Sequence, residues 1–160
     1  LRQVADVVTP GQGAAQQLAE DLAQTMLSAG GIGLAATQIG VRQRVIVVNS
    51  SDGIITLVNP EIVKFSRHHQ DGEEGCLSIP GVFCVVRRSR RILVQAVTVG
   101  GAPAHFSAEG LLARIIQHEV DHLNGVLIID RMVRLISGSE RFRELWATAN
   151  VAAGGRGISS

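Results

Sequence analysis

Residues 118–122 read His-Glu-Val-Asp-His, and no other stretch limits the fold as sharply. Imidazoles four residues apart share one face of a helix, about one turn from each other, so both can converge on a single ion. Glu119 stands beside the pair, able to reach a water at that ion without ligating it. The flanking residues agree with a helix over 108–124. Leu111, Leu112, Ile115, Ile116, Val120 and Leu123 recur at helical spacing, and Asn124-Gly125 supplies a stop. A stripe of that kind is buried, and two unpaired imidazoles in a core cost several kcal/mol unless something satisfies them. The helix is therefore expected at the centre of the fold, holding a metal.

The rest of the chain supplies strands before this helix and helices at both ends. Residues 12–29 carry Leu18, Leu22 and Met26 at spacing four, which predicts a helix ending at Gly30-Gly31. The β-branched runs 44–49 and 54–58 flank a Ser-Ser-Asp-Gly turn. Asn59-Pro60 is expected to break the second run, with 61–65 as a further short strand. Residues 82–86 and 92–99 are the remaining strand candidates. A last helix is expected over 138–149 on Phe142, Leu145 and Trp146. Strands grouped mid-chain predict an α+β single domain, with antiparallel or mixed sheets packed around the metal-binding helix. Its expected extent is 1–150, followed by a flexible Gly/Ser-rich tail over 151–160.

Composition narrows the function. With 160 residues, 46% hydrophobic and 18% charged, the chain is not of a disordered type. Its formal charge of +1 argues against direct DNA binding or an anionic membrane partner. Its 2 cysteines, Cys76 and Cys84, are too few for a disulfide scaffold, which fits reduced thiols inside a cell.

Two histidines leave a tetrahedral ion short of ligands, and a catalytic site wants a third protein donor with one open position. The candidates are Cys76, Cys84, His68, His69, His105 and some carboxylate. Cys76 is favoured: it follows Gly75 in a loop leading to a strand, and a thiolate beside an ion is deprotonated outright. Cys84 lies in an apolar run and reads as core, and His68-His69 reads as a solvated loop. Gly31–Gln38 is a weak signal as a nucleotide loop, because it lacks a third glycine and the phosphate-loop lysine. Its Gln38 amide could point into a cleft and donate to an oxyanion.

Taken together, Gly31–Gln38, Glu74–Ser78 and Gln117–His122 resemble the three motifs of the peptide deformylases, G-φ-G-φ-A-A-x-Q, E-G-C-φ-S and Q-H-E-φ-D-H, in the same order. The resemblance runs from Leu1-Arg2 to about Asp130-Arg131. It implies that Cys76, His118 and His122 hold one divalent ion, with water as the fourth ligand and nucleophile. Fe(II) is the implied native ion, with Zn, Ni or Co able to replace it. Glu119 becomes the general acid/base, and Gln38 and the Leu77 backbone N–H stabilise the oxyanion. Gly33 and Gly75 would hydrogen-bond an extended peptide, while Ile32, Glu74, Leu111 and Ile115 surround a methionine side chain. The implied substrate is an N-formylated nascent peptide, acted on in the bacterial cytoplasm or in an organelle of a eukaryote.

A transient ribosome contact through Arg141 and Arg143 is weighed against their plainer reading as a solvated helix face. Asp121 is expected to pair with an arginine among residues 87–91. Three departures from the family pattern stand out. A short stretch usually found before the Leu-Arg pair is missing. Residues 81–84 are less polar than in many bacterial members. Gly72 replaces an aliphatic pocket residue, which predicts a looser pocket. A general metallopeptidase and a non-catalytic metal module are the rival readings. The distal cysteine argues against the first, and Glu119 with Gln38 argues against the second.

Overall fold

The computed structural model describes residues 1–9 and 13–144. Helix α1 (Gly13–Ser28) leads into β1 (Gly33–Ala35), a 3-10 turn (Ala36–Ile39), β2 (Val45–Ser50), β3 (Gly53–Phe65), β4 (His69–Cys76) and β5 (Ile79–Ser89). Then come β6 (Arg91–Val97), β7 (Pro103–Glu109), α2 (Gly110–Leu123), the single turn α3 (Ile128–Arg131) and β8 (Met132–Ser137). All strand pairs are antiparallel. They build a five-stranded sheet, β1-β2-β3-β6-β7, and a three-stranded sheet, β4-β5-β8.

Helix α2 lies between the two sheets, and every residue from Ala113 to Leu123 is buried. Its Ile115, Ile116, Val120 and Leu123 pack on Ile46, Val48, Leu57, Ile92 and Val94 of the larger sheet. Leu22 and Met26 of α1 cover that sheet's other part beside Val45, Val47 and Val58. A third cluster joins Ile79, Val82 and Cys84 to Leu127–Ile129 under the small sheet. Burying one such Leu or Ile side chain stabilises the fold by about 1.5–3 kcal/mol, and this burial holds α2 at the centre.

The α+β expectation is met, and several boundaries change. The expected break at Asn59-Pro60 does not end the strand. Asn59 takes φ 50° inside a register shift between Val58 and Glu61, and β3 continues as its partner changes from β2 to β6. The Asn59 amide stabilises this bend by bonding both the N–H and the carbonyl of Val8. Residues 73–76, expected in a loop entering a strand, belong to strand β4, as does His69. Residues 108 and 109, expected in the helix, close β7 instead, and α2 starts at Gly110 with φ 61°. Residues 139–144 are helical, with Phe142 against the third cluster. Leu145, Trp146 and the tail over 151–160 lie outside the described residues.

Candidate active site

Strand β4 and helix α2 bring the chemistry together. Along β4, alternate side chains face inward, which places Glu74 and Cys76 on the α2 side. Along α2, residues 114, 118 and 122 share one face. Cys76 Sγ lies 3.2 Å from His122 Nε2, which is 3.2 Å from His118 Nε2. The three donor atoms all fall within 4.8 Å of one another, and all three residues are buried or nearly so. One sulfur and two imidazole nitrogens so close, brought together from a strand and one face of a helix, form a three-donor cluster that could seat a metal ion. Cys84, His68, His69 and His105 stand outside this group; Cys84 is core, as expected, and the three histidines are exposed.

A network of charges holds the seat in place. Glu74 accepts at Oε2 from His118 Nδ1 at 3.0 Å, leaving Nε2 to face Cys76 and His122. Arg88 grips both Glu74 oxygens at 2.9 Å, and Arg114 Nη1 adds a bond of 2.8 Å. Burial opposes ionisation of Glu74, but the bonds from His118 and Arg88 outweigh it and hold the carboxyl down at about 2. Asp121 pairs with Arg88, the partner expected among residues 87–91, and also with Arg131 at 3.0 Å. Gln117 bonds both the N–H and the carbonyl of Ser89, tying α2 to β5.

A cavity of about 530 Å³ opens over the seat, lined by Ile32, Gly33, Gln38, Glu74, Gly75, Leu77, Leu111, Ile115, His118 and Glu119 among others. Every residue expected at the site thus borders the cavity or the donor cluster. Glu119 Oε2 is buried with no hydrogen-bond partner among the described residues, and burial pushes its carboxyl up to about 7. Gln38 Oε1 accepts from Ala35 N–H at 2.8 Å, which turns Nε2 toward Ser78 Oγ (3.1 Å) and Cys76 Sγ (3.7 Å). Leu77 occupies the turn between β4 and β5. A larger cleft of about 910 Å³ lies over a different face of α2, and none of the three donors lines it.

Glu74 borders the cavity, and its oxygens also bond Arg88, Arg114 and His118. One expectation needs correction. Gly72 does not loosen the pocket, because the Arg114 guanidinium fills that space: a Cβ at residue 72 would stand 2.8 Å from Arg114 Cζ. Sequence reasoning passed over Arg114, and its spacing of four before His118 was the available signal.

The sequence profile of the polypeptide deformylases matches residues 1–137. The chain belongs to the polypeptide deformylase family. A peptide deformylase from Thermoanaerobacter pseudethanolicus is 44% identical over 141 residues, covering 88% of this chain and 88% of that protein. Another from Dictyoglomus thermophilum is 49% identical over 118 residues, covering 74% and 76%. Among solved structures, the peptide deformylase of Thermotoga maritima aligns with a TM-score of 0.80 at 41% identity, covering 82% of this chain and 89% of that one. The Met-Ala-Ser-bound enzyme of Acinetobacter baumannii aligns at 0.79 with 38% identity, covering 82% and 91%. As a deformylase the chain is a hydrolase of the formyl amide on N-formylmethionyl peptides. No helix among its described residues is long and apolar enough to cross a membrane.

Proposed function

We propose that the chain removes the formyl group from nascent N-formylmethionyl peptides with one divalent ion held by Cys76, His118 and His122. The observation that carries this reading is the Cys/His/His seat beside a buried, unpartnered Glu119 oxygen at the base of an open cavity. The donor set suits Fe(II), Zn, Ni or Co, and the family resemblance favours Fe(II) as the native ion. When bound, the ion supplies Lewis-acid activation of a water and of the formyl carbonyl.

This chain's residues do the rest. The extended peptide lies along Gly33 and Gly75, with its methionine side chain toward Ile32, Leu111 and Ile115. Water adds to the formyl carbon as Glu119 accepts its proton. The Gln38 amide and the Leu77 N–H donate to the carbonyl oxygen as it gains charge, and one such donor is worth about 2.7–4 kcal/mol. Glu119 returns the proton to the leaving nitrogen, the C–N bond breaks, and formate leaves a free N-terminus behind. A formyl carbon carries only hydrogen, so a tight site excludes bulkier acyl groups by contact.

The test is formate release from formyl-Met-Ala-Ser, run without oxygen on protein of measured metal content, with unformylated Met-Ala-Ser beside it. Formate from the first and no cleavage of the second is the expected result. Cleavage of internal peptide bonds in both would convert the reading to a peptidase.

A further inference from the structure

Strand β4 and helix α2 meet in four successive contacts, the first where Gln70 Nε2 donates to the Gly110 carbonyl at 3.3 Å. Cys76 meets His122 at 3.2 Å, and Glu74 meets His118 at 3.0 Å. Gly72 meets Arg114, whose Nη1 approaches the Gly72 carbonyl at 3.5 Å. The strand advances two residues per contact and the helix four, so Gly72 and Arg114 form the second rung of the series that contains the metal seat.

Gly72 has no conformational reason to be glycine. It is absent from the positive-φ residues and sits inside a regular strand, where a missing side chain costs stability. Its reason is space: a Cβ there would lie 2.8 Å from both Cζ and Nη2 of Arg114 and 3.1 Å from Nε. The guanidinium thus lies flat across the strand. From there it bonds Glu74 Oε1 (2.8 Å), the Val86 carbonyl (2.9 Å) and the Gln70 carbonyl (2.8 Å). Arg114 bridges β4 and β5 and meets Glu74 from the side opposite His118's partner oxygen.

We propose that Gly72 and Arg114 are a positioning pair for the metal seat: the bare strand face at Gly72 lets Arg114 lie flat, and Arg114 fixes the Glu74 carboxylate that aims His118. Neither residue touches the three donor atoms. The inference rests on the metal-seat reading above. Partners that orient a ligating histidine typically contribute 10–100-fold to metal affinity.

A double-mutant cycle tests it. Gly72→Ala, Arg114→Met and the double variant are compared with wild type for Co(II) affinity by chelator competition and for the visible spectrum of the Co(II) protein. Gly72→Ala displaces only the end of a flexible side chain, so the fold is expected to persist. About a tenfold loss of affinity and an altered spectrum are expected for each single variant, with no further loss in the double. Unchanged affinity and spectrum in Gly72→Ala, or losses that multiply in the double, would overturn the pairing. Should Gly72→Ala fail to fold, Arg114→Lys decides. It keeps the charge without the fork, and undiminished affinity there rejects the proposal. In formate release, kcat should fall in the single variants with KM little changed. Failure of wild type to release formate would reject the proposed function while the affinity cycle still judges the pair.

Discussion

The Glu119 carboxylate occupies the space that a side chain at Gly33 would need: a Cβ there would stand 2.5 Å from Glu119 Oε1 and 2.6 Å from Ile115 Cγ2. The backbone of β1 therefore runs directly against the carboxylate proposed to move the proton. Gly33→Ala should displace Glu119 and lower kcat for formate release by at least tenfold, with metal content unchanged. Wild-type turnover in this variant would show that Glu119 tolerates the shift and is not held by β1.

Glu74→Gln keeps the shape of the side chain and an oxygen for His118, but removes the charge that Arg88 and Arg114 clasp. Metal affinity should fall by about 10–100-fold, the usual cost of losing a ligand's orienting partner. Chelator competition at fixed pH measures it. A dissociation constant equal to wild type would mean that His118 needs no anionic anchor.

Arg88 lies under both Glu74 and Asp121, and all three are buried. Arg88→Met would leave two carboxylates short of a partner inside the protein. The expected destabilisation is about 3–5 kcal/mol, the range for breaking a buried pair from one side. Urea unfolding reads it directly. A midpoint shift worth less than about 1 kcal/mol would place the network's strength in Arg114 and Arg131 instead.

Burial pushes the Cys84 thiol up from 9.0 to about 11, with the charge of Glu74 adding to the effect. The folded state therefore holds this proton more tightly than the unfolded chain does. Its contribution to stability is complete below pH 9 and is lost as pH rises through 11. Between those values wild type should lose stability faster than Cys84→Ala, although the variant starts lower for want of the sulfur. Equal slopes in the two proteins would refute a buried thiol at residue 84.

The metal helix was legible because two periods coincide on it: apolar residues at helical spacing and histidines four apart. The β2 strand and the β2–β3 turn were legible for the same kind of reason, since β-branched runs flank Ser-Ser-Asp-Gly. Strand β4 was not. Its inward positions are Gly72, Glu74 and Cys76, so the alternation that marks a strand carries chemistry in place of hydrophobic side chains. The same substitution hid Arg114, a buried cation whose position follows from Glu74 and Gly72 across the gap. Asn59-Pro60 misled because a turn-forming pair inside a strand can mark a change of neighbour as well as an end.

The contact series between β4 and α2 works like a vernier. Two strand residues span roughly 6.8 Å in an antiparallel sheet, while four helical residues span about 6.0 Å. The two scales part by only ~0.8 Å per mark, so four marks fit with an error of about 1.2 Å at either end. One strand laid along one helix can therefore keep the three donors and their successive supports in step from Gln70 to Cys76.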